Sequence, residues 1–531
     1  MVDQPNNGIS KRDFLQSIGM IGGSAAVYTA LQGFDLAHAS QRTEPPVLEN
    51  SGKGKKIIVL GAGLAGMVTA LELTKKGYDV DILEARDHSG GRAQSAKRGT
   101  VLEESGGERQ VCNFSEGHYL NYGPWRIPAE HKATLHYCRT LGVQLEPMIN
   151  KAVHSLYYSE NTDGPLKGVP VRQIELDVDR AGNVQELMAK AADDGYLDEM
   201  LSADDKEMLL DYCRSTGLLD RKELKYIPNK ARGYDEYPGI GDDPGKFSTP
   251  QSLTNMLQYK VGSLFEMADH PAVMFQPVGG MVQIPMALER ALPKRMIRFN
   301  SEITNIAQTE DGVEITYKDT KNGRERTAKA DYCISTIPFT VLPQIPNDFE
   351  EETMDALKSA RSAPAFKLGL EMSRRFWEQD EMIYGGVTRT DIEGFREISY
   401  PSSDLHSDGP GVILGAYCWG REAVKLSNMT PAERVEAALE VGEKLHPGKY
   451  RKYFTGNAIS IGWHKDKYML AGTVGWSRRN RTNKLPKLMK GEKRVLFGGN
   501  GIAPYNAGWM TGAIESAWHV VEQLDQRLSK A

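Results

Sequence analysis

Gly61-Ala62-Gly63-Leu64-Ala65-Gly66 follows directly on the apolar run Ile57-Ile58-Val59-Leu60, the order a phosphate-binding turn requires. The first glycine makes the tight turn out of a strand. The second lets backbone N–H groups approach a pyrophosphate, and the third lets the next helix pack closely on the strand. A phosphate then faces a helix N-terminus, where unpaired N–H groups and the helix dipole favour an anion. Residues 78–83 read as the following strand, and Glu84 ends it about 20 residues after the turn, where a carboxylate can accept hydrogen bonds from ribose hydroxyls and repel a 2′-phosphate. Gly61, Gly63, Ala65, Gly66, Glu84 and Ala85 are the first candidate cofactor contacts. A glycine turn alone is common; the strength here is the complete order of strand, turn, helix, strand and acid.

The stretch that follows, Glu84-Ala85-Arg86-Asp87-His88-Ser89-Gly90-Gly91-Arg92, resembles the glycine-doublet motif of the flavin amine oxidase superfamily. In that family the doublet passes close to FAD and the arginine helps hold the pyrophosphate, which implicates Arg86, Gly91 and Arg92. Asn121-Tyr122-Gly123-Pro124-Trp125-Arg126-Ile127-Pro128 resembles the segment of L-amino acid oxidases whose arginine binds the substrate α-carboxylate beside the flavin. The resemblance places Gly123, Trp125 and Arg126 at the flavin and makes Arg126 the substrate anchor, a role suited to a planar guanidinium that pairs bidentately with a carboxylate. Within Phe395-Arg396-Glu397-Ile398-Ser399-Tyr400-Pro401 it implies Tyr400 as the second carboxylate ligand. It also implies Trp463 as the tryptophan near the flavin, and Lys367 as the lysine that positions a water near flavin N5.

Two further segments extend the resemblance. Pro277-Val278-Gly279-Gly280-Met281 and the strands after it, with Ile303, resemble the second FAD-contacting segment. Gly498-Gly499-Asn500 with Gly508-Trp509-Met510-Thr511-Gly512-Ala513 resembles the last flavin motif, which adds Gly499, Asn500, Trp509 and Ala513 as FAD contacts. There the Gly508 carbonyl would accept a hydrogen bond from the substrate amine, next to Trp509. Asn500 departs from the family, where most members have an acid, and the cysteine that attaches FAD covalently in monoamine oxidases is absent from the motif. Non-covalent FAD is therefore expected.

The resemblance implies an α/β (mixed α+β) fold: a Rossmann-like FAD-binding domain of the flavin amine oxidase type with interleaved substrate-binding and helical domains. The expected activity is FAD-dependent oxidative deamination of L-amino acids, with oxygen as second substrate, to 2-oxo acids, ammonia and hydrogen peroxide. Alternatives on the same scaffold are an amino-acid 2-monooxygenase that yields an amide, and an amine or polyamine oxidase, which would have no carboxylate for Arg126. A flavin-binding protein without turnover is the reading from a different class. Side-chain preference stays open: Asp235, Glu236 or Glu397 would favour Arg or Lys, while Trp419, Trp476 and Trp509 would favour apolar or aromatic groups.

The elements that must position these residues are partly legible. Apolar spacing of three and four predicts helices over 184–192, 197–200 and 203–215, and the charged, Gly- and Pro-punctuated tract 232–246 reads as a loop. Strands are expected at 296–299, 330–335, 366–372, 411–419 and 494–497, a hairpin at 302–308 and 312–318, and helices at 431–445 and 508–524. The resulting division is 1–39 export signal, 40–54 linker, 55–112 first FAD-binding segment, 113–170 first substrate-binding segment, 171–265 helical domain, 266–335 second FAD-binding segment, 336–487 second substrate-binding segment and 488–531 third FAD-binding segment.

At 531 residues the chain is long enough for several domains and an enclosed cofactor. A net charge of −5 with no long basic run argues against a nucleic-acid partner and for small-molecule ligands. The five cysteines lack metal-ligand or redox spacing and read as buried thiols, with no disulfide and no metal. Ser10-Lys11-Arg12-Asp13-Phe14-Leu15, the apolar run 18–31 and Ala37-His38-Ala39 resemble a twin-arginine export signal cleaved before Ser40, with Lys11 in place of the first arginine. The run is too short for a stable membrane span. A periplasmic or secreted protein is expected, or a cytoplasmic one if the signal is inactive, assembled as a homo-oligomer, a dimer.

Overall fold

A computed structural model describes residues 42–49, 52–259, 270–503 and 506–529. The expected export signal lies outside the described residues. Strands from three distant stretches of chain meet in one five-stranded parallel sheet, in the order Ile297–Arg298, Asp79–Leu83, Lys56–Leu60, Tyr332–Ser335 and Val495–Phe497. The central strand Lys56–Leu60 is almost wholly apolar because both faces are covered, as parallel sheets require. On one face the helices Leu64–Lys75, Gln283–Ala291 and Met510–Leu528 bury Met67, Leu288 and Trp518. On the other lies the antiparallel sheet Ser301–Gln308, Val313–Asp319 and Glu325–Ala330. The expected hairpin thus has a third strand. Its sequence, Glu-Arg-Thr-Ala-Lys-Ala, is mostly exposed and carries no apolar alternation to reveal it.

A seven-stranded sheet forms the second layer, ordered Phe454–Gly462, Ala365–Met372, Gly411–Trp419, Glu397–Ser399, Val387–Thr390, Leu156–Tyr158 and Val171–Arg172. Ala365–Met372 is buried throughout, including its lysine and its glutamate. Helix Pro431–Leu445, opened by a Thr430/Glu433 capping box, packs on this sheet with Gly420–Ser427.

The helical region holds Gln173–Asp193, Ala203–Ser215 and Leu253–Gln258. Its first helix begins eleven residues before the expected 184 because buried Asp179, Gly182 and Asn183 interrupt the apolar pattern. Asp179 accepts from Arg232 Nε at 2.9 Å and from the Tyr226 hydroxyl at 2.8 Å, so the charged tract is tied into the helix rather than hanging free. That tract also contains a small hairpin, Tyr234–Glu236 with Lys246–Phe247, and 197–200 forms turns rather than a helix. The stretch read as a linker is partly anchored: Leu48 is buried, and the Glu49 N–H donates to Asp525 on the C-terminal helix at 2.9 Å. All five cysteines are free and buried, and no helix among the described residues is long and apolar enough to cross a membrane.

One buried ion pair links the loop at Glu104, just beyond the glycine doublet, with the second layer. Glu104 takes two hydrogen bonds from Arg434, at 3.0 and 2.6 Å, and one from the Gly462 N–H at 2.6 Å. Removing one partner of a buried pair costs about 3–5 kcal/mol because the other charge is stranded. Glu104→Gln should therefore lower the thermal midpoint in a melting scan, while Arg109→Gln, whose ion pair with Glu103 is solvent-exposed, should leave it nearly unchanged.

Candidate active site

A cleft with about 1560 Å³ of empty space opens between the two sheets. At its nucleotide end the glycine turn has a distinct reason for each glycine. Gly61 sits at φ +102°, a left-handed conformation that favours glycine, and a Cβ on Gly66 would stand 2.0 Å from the Gly61 carbonyl oxygen. At Gly63 an added Cβ would meet no protein atom within 4 Å: its bare face opens onto the cleft. Glu84 is held by two N–H donors, Ala62 at 2.7 Å and Arg86 at 2.9 Å, which fix its carboxylate on the wall. Ala65, Ala85 and Ile303 line the same end.

Arg92 supplies the clearest test of fit for an anionic cofactor. It is walled in, donates to the Gly472 carbonyl at 2.6 Å and makes no ion pair among the described residues. Burial pushes its pKa down to about 10, with nearby Asp466 opposing that shift. A half-buried cation lacking a counter-ion is unfavourable, and a pyrophosphate in the cleft would relieve it. Arg86 is turned away: it pairs with Asp466 at 2.6 Å and lies 5.5 Å from the Tyr468 ring, off the cleft wall.

At the other end Lys367 is buried and donates to the carbonyls of Asn121 at 3.1 Å and Gly123 at 2.5 Å. Burial, then the charge of Arg126, hold its ammonium well below the usual lysine range, with Glu397 acting in the opposite direction. Gly123 must be glycine, since a Cβ would lie 1.7 Å from the Arg92 carbonyl oxygen. Trp463 stacks on Tyr122 at 5.5 Å and donates its indole N–H to the Tyr122 carbonyl. Asn500 accepts from the Gly508 N–H at 3.0 Å and donates to the Trp509 carbonyl at 3.0 Å, a combination an ionised acid cannot provide. Gly499, Asn500, Gly508, Trp509 and Ala513 all line the cleft, as do Gly91, Gly123 and Trp463.

Arg126 and Trp125 stand just behind the wall. The guanidinium lies 4.7 Å from the Trp125 ring, donates to Asn150 Oδ1 at 2.6 Å and makes no ion pair among the described residues. Its charge is felt at both Lys367 and Tyr417. Tyr400 is elsewhere. It is buried in the core of the second layer, where its hydroxyl shares hydrogen bonds with Thr388 at 2.9 Å and His446 at 2.7 Å. The tyrosine on the cleft beside Lys367 is Tyr417, paired with it in register, with the Lys367 Nζ 4.5 Å from its ring. Sequence reasoning found the strand of Tyr417 but not its partner. A tyrosine before a proline was a local signal, whereas the pairing of 367 with 417 is not.

Residues 64–525 match the family of flavin-containing amine oxidoreductases. The chain belongs to that family. It is 26% identical over 493 residues to the putative L-amino-acid oxidase YobN of Bacillus subtilis (strain 168), covering 90% of this chain and 96% of that protein. It is also 26% identical over 481 residues to the L-amino-acid oxidase of Siganus canaliculatus, covering 89% and 85%. Among solved structures, the fold resembles cyclohexylamine oxidase from Brevibacterium oxydans IH-35A at TM-score 0.58 and 16% identity, covering 90% of this chain and 99% of that one. Putrescine oxidase bound to putrescine gives TM-score 0.59 at 15% identity, with the same coverage.

In this amine oxidoreductase the flavin cofactor has a matching cradle: a glycine-faced turn, a fixed acid and a half-buried arginine without a counter-ion. Arg92→Gln retains a polar side chain but removes the charge. The purified variant should contain several-fold less flavin, read from its visible absorbance against protein, whereas Arg86→Gln should retain more.

Proposed function

We propose that this amine oxidoreductase oxidises L-amino acids to 2-oxo acids, ammonia and hydrogen peroxide, and that it holds FAD without a covalent bond. The observation that carries the reading is Arg126: a half-buried guanidinium with no acidic partner, adjoining Lys367 and Tyr417 at the end of the cleft. An amine substrate has no use for that charge, while an α-carboxylate does. The names of the curated relatives agree with this choice. No described cysteine lies on the cleft wall, which supports a non-covalent cofactor.

When bound, FAD would supply the two-electron redox chemistry between amino acid and oxygen. The chain's own contribution is orientation. Arg126 and the Tyr417 hydroxyl take the carboxylate, and the Gly508 carbonyl accepts from the amine. Trp463 and Trp509 form apolar walls that exclude water. Tyr417 replaces Tyr400 in this role, because the Tyr400 hydroxyl is already occupied inside the core. Lys367 in its neutral form has two N–H donors, matched by Asn121 and Gly123, and a lone pair left to accept from a water.

Arg126→Met should lower kcat/KM for an L-amino acid by roughly 30-fold to several thousand-fold, the cost of losing a desolvated charge pair. The corresponding amino-acid amide, which has no carboxylate, should lose far less. Equal losses on acid and amide with flavin retained would remove the support for an amino-acid substrate, and amide in place of 2-oxo acid and peroxide as the product would select the monooxygenase.

Lys367 generates a pH prediction. Its folded pKa is depressed, so the cation exists only below that lowered value and is lost as pH rises through it, before the usual 10.5 is reached. Oxygen consumption by the pre-reduced enzyme should therefore slow with rising pH in that range. Lys367→Met should be slow and nearly independent of pH there, with anaerobic bleaching by substrate affected less.

A further inference from the structure

The second-layer sheet presents one row of side chains in register. Ile461 pairs with Lys367, Lys367 with Tyr417, Tyr417 with Glu397, Glu397 with Arg389, and Arg389 with Tyr157. Directly paired residues project from the same face of a sheet, so the row is continuous. It starts at the cleft, where Lys367 and Tyr417 are wall residues, and it ends at Tyr157, which packs with Leu176 and Met256 of the helical region. Neighbouring strands are about 4.8 Å apart, which puts the Glu397 backbone roughly 5 Å from that of Tyr417 and roughly 10 Å from that of Lys367.

The Glu397 side chain is half-buried and has no hydrogen bond or ion pair with any described residue. Its row neighbour Arg389 does not close an ion pair on it. The two charges act in opposite directions along the row: Glu397 favours the protonated forms of Lys367 and Tyr417, on the cleft side, whereas Arg389 favours the ionised form of Tyr157, on the helical side. A partly desolvated carboxylate with no partner, in register with the wall residue Tyr417, is suited to a cation delivered by a ligand. The other acids considered from the sequence are not on this row: Asp235 pairs with Lys246 on an exposed hairpin and Glu236 is exposed beside it.

We infer that Glu397 selects L-amino acids with a cationic side chain, of the lysine, ornithine or arginine type, by accepting hydrogen bonds from the distal ammonium or guanidinium. The inference rests on the proposed amino-acid oxidation and names its substrate class. Reach separates this role from binding of the α-amine. The α-amine must stay at Cα, near Gly508 and Lys367, two strand spacings from Glu397. An extended lysine side chain carries its charge about 6 Å from Cα, more than one strand spacing. Arg126 meanwhile holds the α-carboxylate by opposite charge.

The test measures kcat/KM for L-lysine, L-arginine, L-leucine and L-phenylalanine by peroxide release, in the flavin-loaded enzyme and in Glu397→Gln, with flavin content and thermal midpoint recorded for both. The expected result is that the wild type favours the cationic substrates, and that the lysine-to-leucine ratio falls about tenfold to a hundredfold in the variant. Glu397→Asp, which keeps the charge, should retain some of the preference, and it preserves the test if the glutamine variant folds poorly. A wild type that prefers leucine or phenylalanine would overturn the inference while leaving amino-acid oxidation intact, as would a variant that weakens all four substrates alike. Turnover of none of them by yellow enzyme would overturn the proposed function, and this inference with it.

Discussion

Lys367 reaches across from the seven-stranded sheet to the backbone carbonyls of Asn121 and Gly123, and the rest of the site is arranged around that buried clamp. The segment it grips is also held from the nucleotide side. The Asn121 side chain accepts from Ser95 at 2.6 Å and from the Met281 N–H at 2.8 Å, and Gly123 lies flush against the Arg92 carbonyl. Trp463 closes on the Tyr122 carbonyl between them. A few consecutive residues thus set the spacing between the half-buried arginine at the nucleotide end and the lysine at the substrate end. All but the Ser95 contact involve backbone, so a shift of the segment would strand several polar groups at once in an enclosed space.

The electrostatics of the cleft follow from the same enclosure. Arg92 and Arg126, and Lys367 when protonated, bring positive charge to the cleft without a carboxylate paired to any of them. Protein interiors do not ordinarily tolerate this. A dinucleotide pyrophosphate and an α-carboxylate would be the missing counter-charges, so ligand binding completes the charge balance that folding leaves open. The depressed ionisation of Lys367 and Arg92 is the local sign of that imbalance. Asn500 adds no negative charge to offset it. Its amide instead ties Gly508 and Trp509 together through one acceptor and one donor, shaping the loop at the flavin end.

Much of this was legible in the chain. The turn 61–66, Glu84, the doublet at 90–91 and the C-terminal Gly499 are local motifs whose function depends on backbone geometry, and such geometry is written in consecutive residues. The buried strands 366–372 and 411–419 and the helix 431–445 could be read for a similar reason, since each has continuous burial or a clear helical period. The third strand Glu325–Ala330 escaped because an exposed edge has no apolar alternation, and the start of helix Gln173–Asp193 was hidden by polar residues that are buried only through Asp179, Tyr226 and Arg232.

By itself, the sequence determined that a dinucleotide turn, a fixed acid and a glycine doublet lie in order, and that an arginine sits between two prolines at 124 and 128. Only the tertiary structure decided which tyrosine lines the cleft beside Lys367. Tyr400 stands in the more suggestive local context, yet its hydroxyl is consumed by Thr388 and His446, the latter 46 residues along the chain. Tyr417 gains its place from antiparallel pairing with Lys367, and Glu397 from pairing with Tyr417. Strand register between distant segments is set by the packing of whole sheet faces. A one-residue slip would turn every one of these side chains to the opposite face, and no short stretch of sequence encodes that choice.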